Sequence, residues 1–178
     1  MARIFSKQPF KIALFRRARS TKTKPCVLIC SDCGAIYFLK AWRHANSLPG
    51  RIWKASANAR DWKVTNTTCP ACMLVTNKMY GGEITVEDAP QQTEYNLRRL
   101  VQSYCRREYG KNCQHRLIDM KKIGNTLHIT TTENQLAAKL ARKIAQVFHV
   151  AHKITHIKEP SDVIRATIVF PRQLAMVA

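Results

Sequence analysis

Acidic residues are scarce in this chain: 11 Asp and Glu stand against 30 Lys and Arg in 178 residues, for a formal net charge of +19. Self-repulsion of that size opposes compaction, so the imbalance predicts a polyanionic partner, with nucleic acid first among the candidates. Long apolar runs are missing too. No stretch of about 18 uncharged apolar residues occurs, so no membrane-spanning helix is expected. No secretory signal is present, which argues against a disulfide framework. H-E-x-x-H does not occur, nor does the deaminase pairing of H-x-E with P-C-x-x-C, and no acid–base constellation is visible. No clear helix-turn-helix pattern stands out. These absences point away from catalysis, and no enzymatic activity or small-molecule substrate is expected.

What is present begins with apolar content of 46%, the composition of a folded protein. The length suits one ordinary domain or two small ones. Charge divides the chain into three parts. Residues 1–24 hold eight cations (Arg3, Lys7, Lys11, Arg16, Arg17, Arg19, Lys22 and Lys24) and no acid. Residues 25–89 are close to neutral, and residues 90–178 are basic again, with fifteen cations and six acids. The first part reads as a basic arm with Phe5, Phe10 and Phe15 interleaved, suited to threading along phosphates. An organellar transit peptide has the same acid-poor, Arg-rich composition and is the alternative reading of the arm.

The second part carries the cysteines. Cys30 and Cys33 form one C-x2-C pair, Cys69 and Cys72 a second, 35 residues on. Four thiolates at about 2.3 Å close a tetrahedron around zinc, and each C-x2-C turn aims two sulfurs at one point. Gly34 and Pro70 suit such turns. A redox dithiol would need one pair beside a βαβ pattern, which is missing. The spacing therefore predicts one structural zinc ion held by Cys30, Cys33, Cys69 and Cys72. Cys26 lies four residues before Cys30 and is a competing ligand. Cys105 reads as a small buried apolar side chain, and Cys113 is unassigned. Between the pairs, Trp42, Trp53 and Trp62 alternate with Arg43, Arg51, Lys54, Arg60 and Lys63. Interleaved aromatics and cations suit base stacking with phosphate contact; the tryptophans alternatively form the small core of the module. Ile84–Val86 reads as a short strand after a Gly-Gly turn, closing the module near residue 89.

The third part is periodic. Residues 93–110 place Leu97, Leu100, Val101, Tyr104 and Cys105 on one helical stripe, with Arg98, Arg99, Arg106 and Arg107 largely off it and Gly110 ending the helix. Two strands meet at Gly124-Asn125 as a hairpin. A capping box, Thr132-x-x-Gln135, then opens a helix with Leu136, Leu140, Ile144 and Phe148 on one face. Two further strands meet at Glu159-Pro160-Ser161. The expected fold is α+β: a basic arm over 1–24, a small four-cysteine zinc-ribbon-like module over 25–89, and an αββαββ two-layer sandwich over 90–178. Arg116, Lys122, Lys153, His156, Lys158 and Arg165 are candidates for the sheet face opposite the helices or for its edges, an open basic surface for RNA.

C-x2-C-G-x-x-Y, T-C-P-A-C, Y-G-G-E-I-T-V and the strand-to-helix junction "HITTTENQLAAKLARKI", over roughly residues 26–170, resemble the small bacterial zinc proteins related to the large-ribosomal-subunit nuclear-export adaptor. The resemblance implies zinc at Cys30, Cys33, Cys69 and Cys72 and a ribosomal RNA surface as partner. It implies a cytoplasmic, ribosome-associated protein that silences idle ribosomes or assists subunit maturation. Two C-x2-C pairs and a short chain depart from the adaptor's pattern, so its export role is not carried over. A DNA-binding transcriptional regulator and a zinc-dependent RNA-processing enzyme are the competing readings.

Overall fold

The structure, a computed structural model, describes residues 26–47, 49–51, 63–157 and 162–171. The arm over 1–24 and Trp53, Lys54, Arg60, Trp62 and Lys158 lie outside the described residues. The fold is α+β, in two compact units, residues 1–67 and 68–178.

The first unit contains β1 (Cys26–Cys30), β2 (Ile36–Phe38), β3 (Ala41–Arg43) and β4 (Lys63–Thr67), in the sheet order β3-β2-β1-β4. β1, β2 and β3 run antiparallel, and β4 lies parallel to β1 from Cys26↔Lys63 to Cys30↔Thr67. Alternation along β1 and β2 sends Val27, Ile29, Ile36 and Phe38 to one face, where Val27 and Ile36 are buried. Trp42 pairs with Tyr37 on the other face, so it does not join this cluster.

The second unit contains α1 (Pro70–Thr76), β5 (Gly82–Glu87), α2 (Gln91–Lys111), β6 (Leu117–Ile123), β7 (Thr126–Thr131), α3 (Asn134–Phe148), β8 (Ala151–Ile157) and β9 (Val163–Val169). Its five strands are ordered β6-β7-β5-β9-β8, with β5 antiparallel to β7 and parallel to β9. Leu97, Val101 and Cys105 of α2 and Leu136, Leu140 and Ile144 of α3 bury their stripes on Ile84, Val86, Leu127, Ile129, Ala166 and Ile168.

This layout differs from the expected four-stranded sheet starting at residue 90. β5, expected in the zinc module, is instead hydrogen-bonded on both sides at the centre of the five-stranded sheet, and the chain divides after Thr67. The reason is burial: Ile84 and Val86 are fully enclosed by the helices, which a strand of a small ribbon cannot achieve. Gly82 serves that packing. A Cβ there would lie 2.3 Å from the Ala137 Cβ, so the glycine lets α3 approach the strand. The capping box also does not form. α3 starts at Asn134 without a side-chain cap, because the Thr132 hydroxyl donates to the Gln114 carbonyl and accepts from the Arg116 N–H at 2.9 Å.

Candidate metal centre and nucleic-acid interface

β1 ends at Cys30, and the chain turns at once. The Gly34 N–H donates to the Cys30 carbonyl at 2.9 Å and the Cys30 N–H to the Ala35 carbonyl at 2.8 Å. Gly34 has φ +69, a conformation that favours glycine. Parallel pairing of β4 with β1 sets Thr67 opposite Cys30, and the Ser31 N–H donates to the Thr67 carbonyl at 3.0 Å. Cys69, two residues beyond Thr67, is thereby delivered to the end of β1 where Cys30 stands. Cys69 has extended backbone and caps α1, its sulfur accepting from the Cys72 N–H at 3.5 Å, with Pro70 in the first turn. The second pair thus opens a helix, where a ribbon would have a second strand-borne turn.

The sulfurs of Cys30, Cys33, Cys69 and Cys72 lie within 4.8 Å of one another, with Cys33 half-buried and the other three buried. A tetrahedron with arms of about 2.3 Å has edges of about 3.8 Å, so the cluster can close around one metal ion. Sulfur donors alone suit a soft or borderline ion and leave no open position for a substrate. Cys26 is exposed and outside the cluster. Cys105 is buried, and burial, followed by the nearby Glu108 charge, pushes its thiol up to about 12, so it stays protonated.

Sequence reasoning missed one residue of this site. Arg116 was expected on the open sheet face, but it precedes β6. Its Nη1 lies 3.2 Å from the Cys72 sulfur and its Nη2 4.0 Å from that of Cys69. Its Nε donates to the Cys113 carbonyl at 3.1 Å, and its guanidinium sits 5.4 Å over the Tyr109 ring. The next-door Gln114 accepts from the Ala71 N–H at 3.1 Å, tying the same loop to the first turn of α1. A dication with four thiolates carries net −2, and a guanidinium against two of the sulfurs offsets part of that charge.

The strand register corrects the expected basic sheet face. Ile84 and Val86 face the helices, as do their neighbours Ile129, Leu127, Ala166 and Ile168. Lys122 pairs with Leu127 and His156 with Ile164, so both belong to the helix side. The opposite face carries Lys121, Lys153 and Arg165 but also Glu83, Glu87 and Asp119, which cancel them, among several threonines. Arg165 pairs with Glu83 at 3.1 Å. This face has no net charge, so it is not a basic surface.

The helices hold the uncompensated cations. Arg98 and Lys122 are both engaged by Glu94, at 2.8 and 2.6 Å. Arg99, Arg106 and Arg107 are exposed and make no ion pair among the described residues. The Arg99 guanidinium lies 5.6 Å over the Tyr95 ring and that of Arg107 5.9 Å over Tyr104. Exposed Lys139 and Arg142 on α3 add to this layer. Both were overlooked in the sequence, although they sit off the Leu136–Leu140–Ile144 stripe. In the first unit, half-buried Trp42 contacts Tyr37 at 5.5 Å, Arg43 is half-buried, and Arg51 and Lys63 are exposed. Among the described residues, no helix is long and apolar enough to cross a membrane. Compared with protein-family models and with curated proteins, the chain matches none.

Proposed function

We propose that this protein is a ribosome-associated, rRNA-binding factor folded around one structural zinc ion at Cys30, Cys33, Cys69 and Cys72. One observation carries the nucleic-acid half of this reading: in the second unit positive charge is segregated to the helices, where Arg99, Arg106 and Arg107 lack acidic partners among the described residues, while the sheet face is balanced. Such a layer neutralises phosphates, and release of their counterions supplies affinity without reading sequence. The thiolate cluster supports the zinc half. Its four protein donors leave no open coordination position, the arrangement of a folding site and not of a catalytic one. The sequence resemblance supports the ribosome as the source of the RNA, with silencing or subunit maturation as the role. The test is sedimentation of cell lysate through a sucrose gradient at about 50 and 200 mM salt, the range over which phosphate-driven binding collapses. Co-migration with ribosomal particles at low salt and release at high salt is expected. Protein that stays at the top of the gradient at low salt, even after crosslinking, overturns the ribosome assignment.

A further inference from the structure

We infer that the groove between α2 and α3 seats a single RNA strand; this rests on the nucleic-acid reading above and names the surface that performs it. α2 lines the groove with Asn96, Arg99, Leu100, Ser103 and Arg107, and the last turn of α3 closes it with Phe148. Three kinds of chemistry meet there. Arg99 and Arg107 supply two cations, eight residues or about 12 Å apart along the helix, so they reach separate phosphates of one strand. Asn96 and Ser103, between and beside them, offer neutral donors and acceptors for sugar hydroxyls and base edges. Leu100 and Phe148 give an apolar floor, with the Phe148 ring packed 5.6 Å from Phe170.

The two arginines each have an aromatic contact on α2. Each guanidinium lies over a tyrosine one turn back on α2, so fewer rotamers are lost when a phosphate binds. Their nearest acids on the helix are engaged elsewhere, Glu94 by Arg98 and Lys122, and Glu108 by Lys111. On α3, Lys143 and Lys139 follow one and two turns back from the exposed Val147 that borders the groove, and prolong the cationic wall. An acidic peptide would satisfy the charge but leave the stacking floor without use.

Affinity of the whole 178-residue chain for a fluorescent 12-nucleotide single-stranded RNA tests this, with a DNA strand of equal length and an oligoglutamate as competitors. The double variant Arg99→Gln, Arg107→Gln should bind the RNA at least tenfold more weakly. Its plot of log affinity against log salt should be shallower by about 1.4, two phosphates at about 0.7 each. Lys121→Gln with Lys153→Gln, on the balanced sheet face, should change affinity less than twofold. All four side chains are on the surface, and variants are compared at matched melting temperature. A benzophenone amino acid at position 103, with both arginines kept, should crosslink to the RNA. Wild-type protein that binds RNA while the groove pair does no worse than the sheet pair, or without crosslinking at 103, overturns the groove and leaves the RNA reading standing. Tighter binding of DNA or oligoglutamate overturns the RNA occupant, and wild-type protein that binds no RNA overturns both.

Discussion

Among the described residues, the first unit's apolar cluster has two buried side chains, Val27 and Ile36, where the second unit's encloses fifteen, from Ile84 to Phe170. Burial of large apolar side chains is the main favourable contribution to folding, so the described part of the first unit draws less on it than the second. The second unit encloses a core of its own on both sides of β5. The thiolate cluster is placed to add folding energy to the described strands of the first unit: Cys30 ends β1, and Cys69 follows the strand paired with it. The comparison assigns metal dependence to the four-stranded sheet and core dependence to the five-stranded one.

Removing the metal should have the largest effect. With a strong chelator, or in Cys30→Ser, amide protection across β1–β4 should disappear in hydrogen exchange, while β5, β7 and β9 keep theirs. Loss of protection in both sheets together would erase the distinction. A core truncation should do the reverse. Leu140→Ala, fully buried in the second unit, should cost about 2–5 kcal/mol in urea unfolding and leave about one zinc per chain by metal analysis. Zinc lost in proportion to stability would show that the two regions do not stand apart.

Arg116→Gln sharpens the account of the cluster, because it leaves all four thiols in place. Metal affinity, measured by competition with a chromophoric chelator, should fall about 10–100-fold, with Arg116→Lys between the two. Unchanged affinity would make the guanidinium a bystander.

The smallest expected effect is on pH dependence. Burial first, then the Lys139 charge, holds the His115 imidazole below its ordinary range, with Glu108 opposing. The unfolded chain therefore takes up this proton near pH 6.5, before the folded chain does. The stability contributed by neutral His115 is present above about pH 6.5 and declines as pH falls from there to the lower folded value. Between pH 7 and 5.5 the melting temperature should fall more in the wild type than in His115→Gln. Equal falls would mean that this histidine is not the group responsible.

Local features were legible in the sequence and long-range ones were not. The C-x2-C pairs, the stripes Leu97–Val101–Cys105 and Leu136–Leu140–Ile144, and the Gly124-Asn125 hairpin all depend on neighbours within a few turns. Each is where its spacing put it. The strand at β5 was readable, but its sheet was not, since alternation says which faces a strand has and not which partners it takes. β4 has little apolar signal, being an exposed edge with the sequence KVTNT. The β2–β3 turn runs through Leu39 and Lys40, both at positive φ, with neither glycine nor asparagine to announce it. Arg116 reaches Cys72 across 44 residues of sequence, and no local rule pairs an arginine with a distant thiolate. The misplaced basic face has the same origin. Alternation offered Lys122 and His156 to either side, and only the register with Leu127 and Ile164 chose the helix side.

In the proposed function this strongly basic chain holds RNA through phosphates. A salt series of the affinity of the zinc-loaded protein for structured ribosomal RNA puts that to the proof. With about 6–10 phosphates neutralised, affinity should fall along a straight line in log–log form, losing about 10³–10⁵ between 50 and 200 mM salt. A flat line would contradict the account, because the positive charge would then take no part in holding the ligand.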